Sequence, residues 1–420
     1  MSKRLLMFCY FYPPQGGVPC TRSVGFSRHL PACGWEPHVV SARNPSRCFV
    51  DITGERPPPG VRTTYARNVF SHFGVVEAAL RRLGIAGRVC VPDDCIGWIP
   101  GAVAAGRRLL RDEDYDAIYV SCSPYSAAIA AMRLAETSGL PFVLDLRDAW
   151  TINPQADTYL AGPIGDLDRR VERTVLSAAD AIVTATRGIC EGYRHLYPEQ
   201  GHKCTFIPNG YDPAPAAPRP PSAAFTIVYT GFFYGFRTPE ALLAALGSLV
   251  ASGAIPRDDI RFIWAGRAAP WVLGLAGMHG IRDRVDYRGM IPKTDADALL
   301  NDADLLYLVI PPGVDPTCMT GKIYPYIASG RPILATVPEG AAADLIREYS
   351  PQSTVIVSDG AALRTEIEEA LLARYRAWRN GDAPECAPDL AAFAERYSFA
   401  ATTRDLSDVL NAVAAGGAGS

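Results

Sequence analysis

Two successive runs of short apolar segments alternating with helix-period segments constrain this chain more than any other feature. In the first run, residues 4–10, 36–41, 117–121, 142–146, 181–184 and 204–207 read as strands. Residues 21–33, 71–84, 101–111, 125–138 and 166–178 repeat apolar positions at helical spacing. Near-continuous apolar strands alternating with helices demand a parallel sheet covered on both faces. A break follows at 213–224, where Pro213, Pro215, Pro218, Pro220 and Pro221 stand among alanines, and it reads as a linker. The pattern then restarts, with strands at 225–230, 260–265, 304–309, 332–337 and 353–357 and helices at 239–251, 294–301, 321–329, 341–348 and 360–379. The expectation is an α/β chain of two Rossmann-like doubly wound domains, residues 1–211 and 212–395. A closing helix, about 396–414, either crosses back onto the first domain or stays on the second.

Composition narrows the function classes. With 420 residues, 48% apolar and 20% charged, the chain is long enough for two cores. Its eleven cysteines are scattered without a Cys-x-x-Cys pair and read as reduced thiols of a cytoplasmic protein. Lys3 and Arg4 precede an apolar run that breaks at Pro13-Pro14, so the run reads as a strand and not a leader. No apolar stretch approaches the roughly 20 residues that cross a bilayer. Peripheral contact with a membrane stays open, because the 71–84 region sets Val75, Val76, Leu80 and Leu83 beside Arg81, Arg82 and Arg88. Residues 1–211 carry 23 basic against 20 acidic groups and the remainder 18 against 24, giving +3 and −6. No concentrated basic stripe exists, which argues against a nucleic-acid partner. The oligomeric state is not legible.

In doubly wound sheets chemistry is expected in the loops that follow strands. Phe11-Tyr12-Pro13-Pro14-Gln15-Gly16-Gly17 follows the first strand, and Gly16 and Gly17 allow close backbone approach to a ligand. Asp145-Leu146-Arg147-Asp148-Ala149-Trp150 sets carboxylate, guanidinium and indole together, a set suited to sugar hydroxyls or to a structural ion pair. Gly231 to Pro239 carries Arg237 just before a helix that Thr238 caps, where a guanidinium binds phosphate bidentately. Thr320-Gly321-Lys322 opens a helix whose free amides and positive end suit a diphosphate. Met290 and Ile291 offer an apolar edge for a nucleobase. The six histidines have no metal-ligand spacing and no triad partners, so no metal site and no cofactor are expected.

In chain order these parts resemble the retaining glycosyltransferases of family four. The resemblance rests on FYPPQGG with Arg22 following, VPDD with Trp98, DLRDAW, FIPNGYD at 206–212, VYTGFFYGFRTP and GKIYPYIASGRPILA. It implies the GT-B fold, two facing Rossmann-like domains with an interdomain cleft, and metal-independent transfer of a sugar from a nucleotide diphosphate, UDP- or GDP-linked, to an acceptor. By position, Gly17 and Gly231 approach the donor, Arg237 and Lys322 hold the diphosphate, and the Met290 region receives the base. Arg22, Arg147 and Trp150 lie on the acceptor side with Asp148. Family members carry two glutamates eight positions apart, where this chain has Thr317 and Pro325. Asp315 and Tyr324 are then the candidates for the ribose. Two alternatives remain at this level: a non-catalytic sugar-nucleotide binder, and an epimerase or hydrolase on the same scaffold.

Overall fold

The computed structural model describes residues 2–43, 56–69, 90–152, 162–213, 222–314, 316–317, 319–357, 360–382 and 389–417. The helix expected at 71–84, most of the linker at 213–224, and Asp315 lie outside the described residues. The chain divides into two compact units, Met1–Gly210 with Phe399–Ser420, and Tyr211–Ser398.

The first unit holds a seven-stranded sheet: β1 (Lys3–Cys9), β2 (Trp35–Ala42), β3 (Arg62–Ala66), β4 (Ala117–Cys122), β5 (Phe142–Leu146), β6 (Ala181–Thr184) and β7 (Cys204–Phe206). Its spatial order is β3-β2-β1-β4-β5-β6-β7, and every pairing is parallel. Leu6 stands opposite His38, and Phe8 opposite Val120. The central strands β4 and β5 are buried at every position, as an apolar strand with helices on both faces must be. One face packs Phe8, Val120, Leu144, Trp98 and Leu134. The other packs Met7, Tyr119, Val143 and Phe26 against Phe399, Leu406 and Leu410 of the closing helix.

That helix, Phe399–Gly417, therefore belongs to the first unit although the second intervenes in sequence. Its anchor is Phe399, whose ring edges onto Phe26 at 6.1 Å. The ring occupies the place where a Cβ on Gly25 would sit, within 2.4 Å. Only glycine admits that approach.

The second unit holds β8 (Phe225–Thr230), β9 (Ile260–Ala265), β10 (Val285–Gly289), β11 (Leu305–Val309), β12 (Ile333–Thr336) and β13 (Thr354–Ile356). They lie in the order β10-β9-β8-β11-β12-β13, again all parallel. Both sheets thus start at their centre and wind outward in two directions, which creates one point in each where the strand order reverses.

Truncating Phe399 to alanine should cost about 3–5 kcal/mol of unfolding free energy, the usual loss for a buried aromatic. Gly25→Ala should destabilise through the same contact by pushing Phe399 out. Urea unfolding of both variants and their combination checks this: a shared contact predicts that the double variant loses clearly less than the sum of the two.

Candidate functional site

The reversal point of the second sheet lies between β8 and β11. The loops that leave these two strands carry Arg237 and Lys322.

Past Thr230 the chain is pinned to β9, because the Gly231 N–H donates to the Ala265 carbonyl at 2.7 Å. Residues 234–237 then close a tight turn, with Tyr234 N donating to Arg237 O at 3.1 Å and Arg237 N to Tyr234 O at 2.9 Å. The turn sets the Arg237 guanidinium 5.4 Å from the Tyr234 ring centre. Arg237 Nε is buried and has no hydrogen-bond partner. The cap of the following helix, Glu240–Ala251, is Pro239 and not the expected Thr238, whose hydroxyl accepts from Glu240 N at 3.0 Å in the turn just before it.

Lys322 approaches from the β11 side. Ile323 N donates to Thr320 O at 3.1 Å, folding Thr320-Gly321-Lys322 into a turn that leads into the helix Ile323–Ala328. This helix is shorter than the expected 321–329. Pro325 falls in its first turn, where a missing N–H breaks no helical bond. A helix of six residues has a small dipole, so charge at this site comes from side chains.

The Lys322 Nζ sits 5.2 Å from the Tyr229 ring centre. Gly231, at φ 130°, lies directly beneath it. A Cβ there would stand 2.2 Å from Lys322 Cε and 2.7 Å from Nζ. Among the described residues neither Lys322 nor Arg237 has an acidic partner. Burial of the ammonium, and secondly the charge of Arg237, bring the Lys322 pKa down from 10.5 to about 7. Two basic side chains close together without a described counter-charge are suited to an anion.

An aromatic floor underlies Lys322. Tyr229 stacks on Phe233 with ring centres 4.0 Å apart, Phe233 meets Trp264 at 5.4 Å, and Trp264 meets Tyr287 at 4.5 Å. Each polar edge donates to a backbone carbonyl of the strand ends: Tyr229 to Phe232 O at 3.1 Å, Trp264 to Gly231 O at 3.0 Å, Tyr287 to Gly266 O at 3.1 Å. These residues escaped the motif reading. Their signal is an aromatic-x-Gly triplet closing three adjacent strands: Tyr229-Thr230-Gly231, Trp264-Ala265-Gly266 and Tyr287-Arg288-Gly289.

The other expected donor residues divide. Thr320 is half-buried and Gly321 exposed, immediately before Lys322. Met290, 37% exposed, and the half-buried Ile291 follow β10, whose end is tied to β9 by Gly266 N donating to Gly289 O at 2.8 Å. Tyr324 does not face a ligand. It is 1% exposed and packs on Tyr397 with ring centres 5.6 Å apart. Two residues of α-helix turn the chain by about 200°, so a side chain two positions after Lys322 points the opposite way, into the core.

In the first unit the corresponding reversal lies between β1 and β4. Gly16 after β1 is buried, and Gly17, exposed at φ 89°, precedes the helix Val18–His29. Arg22, 2% exposed, is a structural clamp: Nε and Nη2 meet the Asp145 carboxylate at 2.7 and 3.0 Å, and the remaining donors reach Ile207 O, Pro208 O and Asn209 Oδ1. The Tyr119 hydroxyl also donates to Asp145. Such a saturated group has no donor left for an acceptor. Arg147 likewise ties together the carbonyls of Pro19, Ser123 and Cys122. Trp150 is 1% exposed, stacked on Tyr125 at 4.5 Å and donating to Asp168 at 3.0 Å. Burial pushes the Asp168 carboxyl up to about 6. Asp148 alone of this group is exposed, accepting from Ser123 Oγ at 3.3 Å.

One group among the described residues, Asp93, Asp94 and Cys95, has the spacing to hold a cation. Asp93 is already engaged by Ser126 N and Oγ and by Cys95 N, so the cluster closes a helix start. No described helix is long and apolar enough to cross a membrane.

The depressed Lys322 pKa makes a stability prediction. A lysine whose folded pKa lies below its unfolded value costs stability in full at pH values below about 7. The cost is relieved as pH rises toward 10.5. Lys322→Met should therefore stabilise the ligand-free protein most in mildly acidic buffer, with the gain shrinking steadily as pH rises. Urea midpoints across that range check the sign.

Residues 20–210 match the family described as Glycosyl transferase 4-like domain. Solved structures share the fold along nearly the whole chain at low identity. Sucrose-phosphate synthase from Thermosynechococcus elongatus is 15% identical with a TM-score of 0.59, covering 99% of this chain and 97% of its own. The α,α-trehalose 6-phosphate synthase from Burkholderia multivorans is 14% identical with a TM-score of 0.64, covering 100% and 98%. The trehalose-6-phosphate structure from E. coli bound with UDP-2-fluoro glucose is 13% identical with a TM-score of 0.61, covering 97% and 99%. A search of the curated proteins finds no sequence that matches.

Proposed function

We propose that the protein is a retaining glycosyltransferase that moves a sugar from a nucleotide diphosphate donor to a saccharide, lipid-linked or natural-product acceptor. The observation that carries the reading is the pair Arg237 and Lys322 at the reversal point of the second sheet, without an acidic partner among the described residues. A diphosphate supplies the counter-charge this pair lacks. As the glycosidic C–O bond of the donor breaks, negative charge grows on the departing phosphate oxygen, and two preorganised cations stabilise that charge more than they stabilise the ground state. The Met290 and Ile291 edge receives the base, and Gly231 leaves room for the Lys322 side chain that holds the diphosphate. The first unit meets the acceptor, with Asp148 as its exposed carboxylate. A nucleotide-sugar donor in the fold relative bound with UDP-2-fluoro glucose, and the matched glycosyltransferase family over the first unit, support the same class. The reaction needs no metal and no resident cofactor in this reading, because the two side-chain cations do the work a divalent ion would do on the diphosphate.

A second reading, a sugar-nucleotide binder without transfer, is favoured by one feature. Thr317 and Pro325 replace the glutamates expected there, and Tyr324 is turned into the core. A panel of UDP- and GDP-sugars, with release of the nucleoside diphosphate followed in the presence of candidate acceptors, separates the two. The transferase reading expects turnover with one donor. It also expects Arg237→Ala and Lys322→Ala each to lower kcat/KM by roughly 10²–10³-fold without lowering the unfolding midpoint. Tight binding of a donor with no release under any acceptor would favour the binder, and near-full activity of Lys322→Ala would remove the transferase assignment of this site.

A further inference from the structure

The surroundings of Lys322 deepen the donor-site reading, on which any role for its titration rests. The ammonium lies over the face of Tyr229 and against the backbone of Gly231, within the electrostatic reach of Arg237. The titratable and charged groups around it come from each packed element. From β8 and its loop come Tyr229 and Arg237, from its own helix comes Tyr326 one turn on, and β9 contributes the neutral Trp264. Burial keeps both phenols protonated, raising Tyr229 above its ordinary value and Tyr326 to about 12. The Tyr326 oxygen accepts from Thr230 N at 3.0 Å, and the Tyr229 hydroxyl is committed to Phe232 O. No described group offers Lys322 a negative charge. Burial of the ammonium, and secondly the charge of an arginine that does not deprotonate, both favour the neutral amine when the site is empty.

We propose that Lys322 is a proton-coupled latch: above neutral pH it is largely neutral in the empty site, takes up a proton as the nucleotide diphosphate binds, and releases that proton as the leaving nucleoside diphosphate departs. The balance is one proton per turnover cycle, gained from solvent on binding and returned on release, with no bond made or broken in the lysine other than N–H. The consequence is an affinity that falls as pH rises above the value at which the empty lysine titrates, until the ligand-bound lysine itself loses its proton. An ordinary surface lysine would hold its charge throughout this range, so its contribution would be flat.

The test is calorimetric titration of the intact protein with UDP and with GDP near pH 8, in two buffers of different ionisation heat. At that pH the phosphates are already ionised, their second pKa being about 6. An empty lysine titrating one unit lower then predicts uptake of about 0.9 proton per nucleotide bound. Lys322→Arg keeps a permanent charge and should show no uptake. Arg237→Gln removes the opposing charge and should show a reduced uptake, which gives a second readout if the first variant does not fold. Binding without uptake in the wild-type protein, or undiminished uptake in Lys322→Arg, overturns the latch while leaving the donor site standing. If neither nucleotide binds, the donor-site reading falls and the latch falls with it.

Discussion

Two basic side chains brought together without a described counter-charge are the constraint on which the candidate site of the second unit depends. Arg237 and Lys322 reach the same place from opposite sides of the strand-order reversal, and nothing described in that unit neutralises them. Like charges brought together inside a protein are unfavourable, so the fold has to hold them by other means. It does so with an aromatic floor under Lys322, with Tyr234 against Arg237, with a glycine that leaves room for the lysine, and with strand ends laced to one another through backbone and indole hydrogen bonds. Each support is rigid and none carries negative charge. The electrostatic deficit is thereby kept for a ligand.

The first unit resolves the same topological position differently. There the buried cation is Arg22, and it is met by the Asp145 carboxylate, Tyr119 and a row of carbonyls. A buried pair so fully satisfied fixes how the helix Val18–His29 sits on β5, and removing either partner would leave an uncompensated charge in the core. Saturation marks the one arginine as structural, whereas the other has no acidic partner among the described residues. Residue type and strand-end position do not distinguish them.

This difference explains how much could be read from the amino-acid order. Two doubly wound sheets were legible because buried parallel strands are written as apolar runs, and the reversal points follow from the winding. Edge strand β3, Arg-Thr-Thr-Tyr-Ala, was not, since a half-exposed edge carries no such run. The helices Arg187–Leu196 and Pro270–Met278 escaped because each contains two glycines that mask the helical signal. The placement of Lys322 and Arg237 in the loops that leave β11 and β8 was legible from the neighbouring turn and helix start. Arg22, Arg147 and Trp150 carried the same kind of signal, yet their partners lie far off in sequence, Pro19 with Arg147 and Ile207 with Arg22, so only the folded chain shows that they are occupied. The ambiguous closing helix was settled by Gly25, whose missing side chain admits Phe399. Such a complementarity leaves no pattern within either segment.

The most direct test of this account is a crystal structure of the protein with UDP or GDP bound. The account predicts the diphosphate bridging Lys322 Nζ and the Arg237 guanidinium at hydrogen-bond distance, beside Gly231, with the base toward Met290. A nucleotide bound elsewhere, with both cations left without an anionic partner, would contradict it.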